Sequence, residues 1–153
     1  MFKTRLISGI VLVAIAFVVL WFGGPVTGGA LMILSAIGVY ELCRVYKIED
    51  RSPTVIALLW TLIYYIVLIM GEFSFKGFNI RQLTRPIMVT YLLAILAVYV
   101  FRFPKYHDRE IMAAFMSFFY VSVMLSYIYM LREIPEGGYL VVLIFICSWG
   151  NDT

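Results

Sequence analysis

Six apolar stretches, separated by short polar segments, run along the whole chain. They cover Leu6–Phe22, Val26–Tyr40, Thr54–Met70, Ile87–Phe101, Ile111–Leu131 and Gly138 to the end. At a rise of about 1.5 Å per residue, helices of this length cross a hydrocarbon core of roughly 30 Å once tilt and interfacial flanks are included. The pattern predicts an all-α, polytopic membrane bundle of about six transmembrane helices, of which the last is truncated. The predicted bundle is a single transmembrane region over 1–153, with a three-helix part at 1–70 and a middle helix pair at 87–131.

The composition supports a membrane protein and excludes a soluble domain. Hydrophobic residues make up 63% of the chain, charged residues make up 14%, and the mean hydropathy is +0.97. Soluble domains carry far more charge. The net charge of +3 comes from loops that can face anionic lipid headgroups, and nothing in its distribution indicates binding to nucleic acid.

Two basic residues, Lys3 and Arg5, precede the first stretch and superficially resemble the start of a secretory signal peptide. We reject this interpretation because the apolar run is longer than a usual signal core and no small-residue cleavage site follows it. The chain instead passes through GGPVTGG straight into the second stretch. The uncharged link from Gly23 to Pro25 predicts a tight antiparallel hairpin between the first two helices.

The distribution of lysine and arginine predicts the orientation. With the N-terminus inside, the inner segments Met1–Arg5, Glu41–Pro53 and Arg102–Glu110 hold eight of the 12 basic residues. The outer segments hold the other four, and three of these lie in the loop Gly71–Pro86. Because cytoplasmic loops carry the excess of basic residues, we expect a multi-pass protein of the cell membrane with a cytoplasmic N-terminus.

The fifth stretch carries a stripe of small and hydroxyl-bearing side chains at helical spacing. The stripe comprises Ala113, Ser117, Tyr120, Met124 and Tyr127. In lipid it is expected to face protein, whereas Phe118 is expected to point elsewhere. Two roles remain open, and they are compatible: close packing with hydrogen bonds between helices, and the lining of a polar cavity.

Most of the remaining candidates have simple structural interpretations. Cys43 and Cys147 lie far apart without a CxxC spacing, which is typical of buried free thiols. His107 has acidic neighbours in FPKYHDRE, but no second His or Cys is placed to complete a metal site, so a solvated loop is favoured. Glu41 closes the second helix, where it can reach the interface or pair with Arg44.

Asn151 and Asp152 are harder to explain by packing. A helix that begins near Gly138 has run only about 22 Å when it reaches Asp152, which is less than a full membrane span. Both side chains would then lie in the membrane-embedded part of the protein, where ionisable groups usually mark a site or a pathway. The alternative is that Asp152 is simply the first polar residue beyond the membrane.

Several short motifs together resemble the phosphatidate cytidylyltransferase family, the CDP-diacylglycerol synthases. They are the opening KTRLISGIVLV, the tight Gly-Pro turn, the helix that closes in YELCR with its Tyr40–Glu41 pair, and the apolar helix that runs into WGNDT. In that family the Asp-Thr step is followed by further motifs, among them Ala-Tyr, Gly-Arg and a lysine-rich region, which this chain does not contain. The resemblance therefore implies an N-terminal piece of a longer enzyme, inactive alone, in which 138–153 begins the catalytic part.

The resemblance also implies a chemistry. The phosphate of phosphatidate would attack the α-phosphorus of CTP at the bilayer surface, giving CDP-diacylglycerol and pyrophosphate in phospholipid biosynthesis. It implies Mg²⁺ as cofactor, Asp152 as a catalytic and metal-binding carboxylate, Asn151 as a substrate-binding or orienting neighbour, and Thr153 as support for the turn. A homodimer is left open.

A second interpretation, from a different class of protein, is a non-enzymatic membrane scaffold or transporter subunit. Transporters usually carry broken helices or paired polar residues near the middle of the membrane. Apart from Asp152, the predicted spans contain no Asp, Glu, Lys or Arg, which weakens transport but not scaffolding.

Overall fold

The computed structural model describes residues 13–46, 48, 51–71 and 80–151, and 89% of them are helical, with no strand among them. The helices are α1 (Val13–Phe22), α2 (Gly24–Val45), α3 (Arg51–Met70), α4 (Thr84–Phe101), α5 (Asp108–Arg132) and α6 (Gly137–Asn151). A short 3-10 turn, Ile80–Leu83, leads into α4. Within these residues α2, α3, α4 and α5 are long and apolar enough to span a membrane, so the predicted helical membrane bundle is confirmed. The first part of the first predicted span lies outside the described residues.

The helices extend past the apolar stretches that predicted them. Glu41 does not close the second helix, because α2 continues for four residues to Val45. Glu41 and Arg44 are both exposed in its last turns. Long charged side chains can reach the polar interface from within a helix, so a helix need not end at its first charge.

The described bundle is centred on α2, α3 and α5. Near the start of α2, a Cβ added to Gly28 would lie 2.6 Å from Ile69 of α3 and 3.2 Å from Tyr129 of α5. Near the end of α2, the Cys43 thiol lies 3.5 Å from the hydroxyl of Ser117, in the first half of α5. The start of α2 therefore meets the ends of α3 and α5, which shows that α2 runs antiparallel to both.

An aromatic core fills the space between α3, α4 and α5. Tyr64, Tyr91 and Phe118 are each at most 1% exposed. The rings of Tyr91 and Phe118 lie 4.3 Å apart, and Tyr64 meets Phe118 edge to face at 5.9 Å. Such aromatic pairs contribute roughly 0.5–1.5 kcal/mol each beyond their buried area. They hold α4 against the other helices without requiring charge in the membrane.

A single residue, Gly23, separates α1 from α2. Its φ angle is +65°, a conformation that glycine adopts without a steric penalty. The Thr27 hydroxyl donates to the carbonyl of Val19 at 2.8 Å across this corner, so the chain bends sharply where the sequence predicted a tight link. The Arg132 guanidinium at the end of α5 donates through Nε to the carbonyl of Leu20 at 2.8 Å. A cation therefore satisfies a carbonyl in the last turn of α1, where carbonyls lack partners within the helix.

The two ends of the bundle group the connecting segments as expected of helices that cross the bundle in alternating directions. At one end, Ile48 packs against the cluster that contains Tyr106 and Ile111. At the other end, Gly23 lies against Arg132. Segments assigned to one side of the membrane therefore come together in the fold. Which end faces the cytoplasm remains a prediction.

Candidate functional site

The sequence-predicted site lies at the end of α6. This helix begins one residue before the predicted Gly138, and Asn151 is its last residue. Its 15 residues correspond to a length of about 22 Å, as the sequence implied. Asp152, Thr153 and the side chain of Asn151 lie outside what the structure describes, so their roles remain predictions.

One face of α6 contacts protein. Val141 is 1% exposed and Phe145, one turn further on, is half-buried. Most of the other described side chains of α6, Cys147 among them, are exposed. The prediction of a buried thiol is therefore right for Cys43 and wrong for Cys147, although both cysteines are free. An apolar side chain on the outer face of a membrane helix can be covered by lipid. Such a side chain is exposed with respect to the protein alone.

The middle of α5 is not a regular α-helix. Residues Phe118–Val123 form a π-helical segment, with hydrogen bonds that reach back five residues instead of four. Neighbouring tyrosines donate to carbonyls just before and within this segment: Tyr91 to Ala114 at 2.6 Å and Tyr65 to Ser122 at 3.1 Å. In a membrane, irregular backbone persists only where other protein groups satisfy it, and these hydroxyls do so.

The π segment breaks the predicted stripe. Ala113 and Ser117 are buried, but Tyr120, Met124 and Tyr127 are 66%, 60% and 57% exposed. Beyond Ser117 the buried side continues instead through Ser122, Ser126 and Tyr129, each 0% exposed. The wide turn holds one additional residue, so every position after it is displaced around the helix. Phe118, expected to point away from protein, is also 0% exposed.

Buried hydroxyls link α2, α3 and α5 through three contacts, which we call the hydroxyl seam. Its members are Ser35, Thr61, Tyr64, Tyr65, Ser122 and Ser126. The oxygen pairs Ser35–Tyr65, Thr61–Ser122 and Tyr64–Ser126 lie 2.8, 2.8 and 2.9 Å apart. Because each hydroxyl has a protein partner, the seam packs the three helices together, although none of its members belongs to the predicted stripe.

The charged loop before α5 provides the cap of that helix. His107 is exposed, and its backbone N–H donates to the Glu110 carboxylate at 3.1 Å, which caps the start of the helix. Within the described residues, no group of three or more His, Cys, Asp or Glu could hold a metal ion. The exposure of His107 agrees with the interpretation of this segment as a solvated loop.

A groove of about 530 Å³ opens between α1 and α6 beside Arg132. Its lining includes Phe17, Trp21, Arg132, Glu136, Tyr139 and Val142. Sequence reasoning counted Arg132 only as one of the outer charges and missed this site. The available signal was that Arg132 comes directly after 21 uncharged residues. Two glutamates, Glu133 and Glu136, follow it within four positions.

One comparison with known proteins gives a match. A family model described as the cytidylyltransferase family matches residues 3–153. No curated protein and no solved structure matches the chain significantly.

Proposed function

The chain belongs to the cytidylyltransferase family, which is the family of phosphatidate cytidylyltransferase, and we propose that it takes part in the transfer of CMP from CTP to phosphatidate. The match over residues 3–153 is the observation that carries the proposal. The family implies a nucleotidyltransferase, and the apolar helices suit a substrate that resides in the bilayer. Both points favour an enzyme over a scaffold or transporter subunit.

In the proposed reaction, an oxygen of the phosphatidate phosphate forms a bond to the α-phosphorus of CTP, and the bond from that phosphorus to pyrophosphate breaks. Both reactants are polyanions, so the transition state requires positive charge near the transferred phosphorus. Mg²⁺ between phosphate oxygens is the proposed source of this charge.

This chain contributes one proposed metal ligand, Asp152, and one proposed orienting group, Asn151. The described residues do not by themselves make up a Mg²⁺ site, because they bring together no cluster of candidate ligands. The contribution of α6 is to extend about 22 Å from its start to Asn151, the residue before Asp152 in the sequence. With the proposed cytoplasmic N-terminus, Asp152 lies on the side from which CTP arrives, and phosphatidate approaches sideways through the bilayer.

The test is Asp152→Asn in membranes that contain the natural protein carrying this chain, with incorporation of radiolabelled CTP into lipid as the measurement. The amide keeps the shape of the carboxylate but loses the charge that holds a metal. Residues that only support metal ligands lower activity by 10–100-fold when removed, so loss of a ligand is expected to lower it by at least about 100-fold. Asn151→Ala is expected to have a smaller effect, because a neutral oxygen contributes orientation rather than charge.

A matched control is Asp108→Asn, which removes the same charge from an exposed position in the first turn of α5. Its loss weakens only a helix-dipole interaction worth about 0.3–1 kcal/mol, so near-normal turnover is expected. Full activity of the Asp152→Asn protein would contradict the proposed role. Equal losses in both variants would mean that the effect is not specific to the end of α6.

A further inference from the structure

The groove between α1 and α6 combines features that neither packing nor the proposed reaction requires. At one end it presents the Arg132 guanidinium and the exposed Glu136. The Nε of Arg132 donates to the carbonyl of Leu20, and a guanidinium carries five N–H donors in all. Arg132 thus holds the corner of α1 and also lines an open site.

The polarity of the groove changes along its length. Trp21 and Tyr139 lie beside the charged end and are 74% and 82% exposed. Phe17 is one helical turn, about 6 Å, further along α1, and Val142 is a similar distance from Gly138 along α6. Exposed Trp and Tyr beside the end of an apolar helix mark the level of the lipid headgroups. The groove therefore passes from a charged end at the headgroup level to an apolar end within the membrane.

Glu136 is held in an unfavourable backbone conformation at this site. Its φ angle is +62°, in the left-handed region that residues with a side chain rarely occupy. This conformation costs about 1 kcal/mol or more of free energy relative to an unstrained backbone. Strained conformations of this kind cluster at binding sites. Glycine would fit this position without strain, so the presence of a carboxylate calls for a role for the carboxylate.

We propose that this groove binds a phospholipid whose headgroup carries both a phosphate and a primary ammonium. The phosphate would accept hydrogen bonds from the guanidinium of Arg132, and the ammonium would donate to the carboxylate of Glu136. One positive and one negative side chain match a zwitterionic headgroup better than an anionic one. The apolar part of the groove receives an acyl chain between Phe17 and Val142.

This lipid is distinct from the substrate of the proposed reaction. The groove lies at the start of α6, about 22 Å along the helix from Asn151. It also lies at the opposite end of the bundle from the cluster of Ile48 and Tyr106. A headgroup in the groove is therefore in the other leaflet from a reaction at Asp152, and the proposal does not depend on that reaction.

Trp21 provides a local probe. In the 153-residue chain, Trp60→Phe and Trp149→Phe leave Trp21 as the single tryptophan. The chain is reconstituted in phosphatidylcholine vesicles with equal minor fractions of a lipid brominated in its acyl chains: phosphatidylethanolamine, phosphatidylglycerol or phosphatidylcholine. Brominated phosphatidylethanolamine is expected to quench Trp21 more than the other two, because it alone offers a primary ammonium beside the phosphate.

Three variants in this background test the assignment. Arg132→Gln removes the phosphate donor and is expected to abolish the preference, but it also removes a support of α1. Glu136→Gly relieves the strained backbone, so it should fold at least as well and still lose the preference. Gly138→Leu keeps both charges and fills the groove, since a Cβ at Gly138 would lie 3.8 Å from the guanidinium carbon of Arg132. It is expected to lose the preference as well.

The outcomes are decisive in either direction. Equal quenching by the three lipids would overturn the proposal, as would a preference that survives in Glu136→Gly. Stronger quenching by phosphatidylglycerol would show a general attraction of anionic lipid to arginine and would also overturn it. Transfer of CMP is not the measurement, so failure of the proposed reaction would leave this result unaffected.

Discussion

The Tyr65 hydroxyl joins three helices at one point, and its removal is the most direct test of how the bundle is held together. It donates to the carbonyl of Ser122 in the π segment of α5 and accepts a hydrogen bond from Ser35 of α2. Tyr65 itself belongs to α3 and is 0% exposed. Tyr65→Phe removes the one oxygen without leaving a cavity, because the ring keeps its shape.

The expected effect follows from what the substitution leaves behind. Two hydrogen bonds are lost, and hydrogen bonds between membrane helices contribute about 0.6 kcal/mol on average and at most about 1.7. The carbonyl of Ser122 and the hydroxyl of Ser35 also lose a partner while buried, which adds a desolvation penalty. Together these effects predict a loss of about 1–3 kcal/mol in the free energy of unfolding.

The assay is reversible unfolding of the purified chain in lipid bicelles, with Tyr120→Phe as the control. Tyr120 lies on the π segment, but its side chain is 66% exposed, so removal of its hydroxyl should change stability by less than about 0.5 kcal/mol. A double-mutant cycle of Tyr65→Phe with Ser35→Ala then isolates the contact between α2 and α3. Equal stability of the Tyr65→Phe and Tyr120→Phe proteins would refute the view that the seam holds the π segment.

Two further predictions concern packing and orientation. Gly28→Leu is expected to lower stability by about 1–3 kcal/mol through overpacking, since its Cβ would already meet Ile69 at 2.6 Å, whereas Gly29→Leu, with nothing within 4 Å, should be tolerated in the same unfolding assay. In a chain lacking Cys43 and Cys147, single cysteines at Lys105 and Gly24 should be labelled from the cytoplasmic and the opposite side, respectively. Labelling of position 24 from the cytoplasm alone would mean that the predicted orientation is inverted.

The sequence predicts the helices because lipid imposes a simple rule. Backbone polar groups must be satisfied within each membrane segment, so a long apolar stretch has few alternatives to a helix. This is why the stretch Thr54–Met70 corresponds closely to α3, Arg51–Met70. The ends are less predictable, since α2 continues past Glu41 to Val45 and α3 begins at Arg51, before the apolar stretch that predicted it.

The buried face of α5 could be predicted only as far as Ser117. The prediction assumed an α-helix, in which each backbone hydrogen bond reaches back four residues. Nothing in the run FFYVSV indicates a π-helix, in which it reaches back five. The π segment depends on Tyr65 and Tyr91, which are remote in sequence and donate to its carbonyls. Ser122 and Ser126 were therefore missed although both are fully buried. The spacing of residues along one helix cannot reveal a rotation of its buried face that depends on hydrogen bonds from other helices.

The middle of the bundle differs from its ends in how its polar side chains are hydrogen-bonded. The hydroxyls of the seam each donate to a protein acceptor, so they leave no donor hydrogen for a ligand. Among the buried side chains that the structure describes, one oxygen has no hydrogen-bond partner: the hydroxyl of Tyr106, 2% exposed, beside Ile48 at the predicted cytoplasmic end. Arg132 lines the groove at the opposite end. Among the described residues, Tyr106 and Arg132 thus place polar groups that can bind a ligand at the two ends of the bundle, where headgroups and water are accessible. This is the arrangement expected of a membrane enzyme that binds lipid at its surfaces and uses its interior for packing.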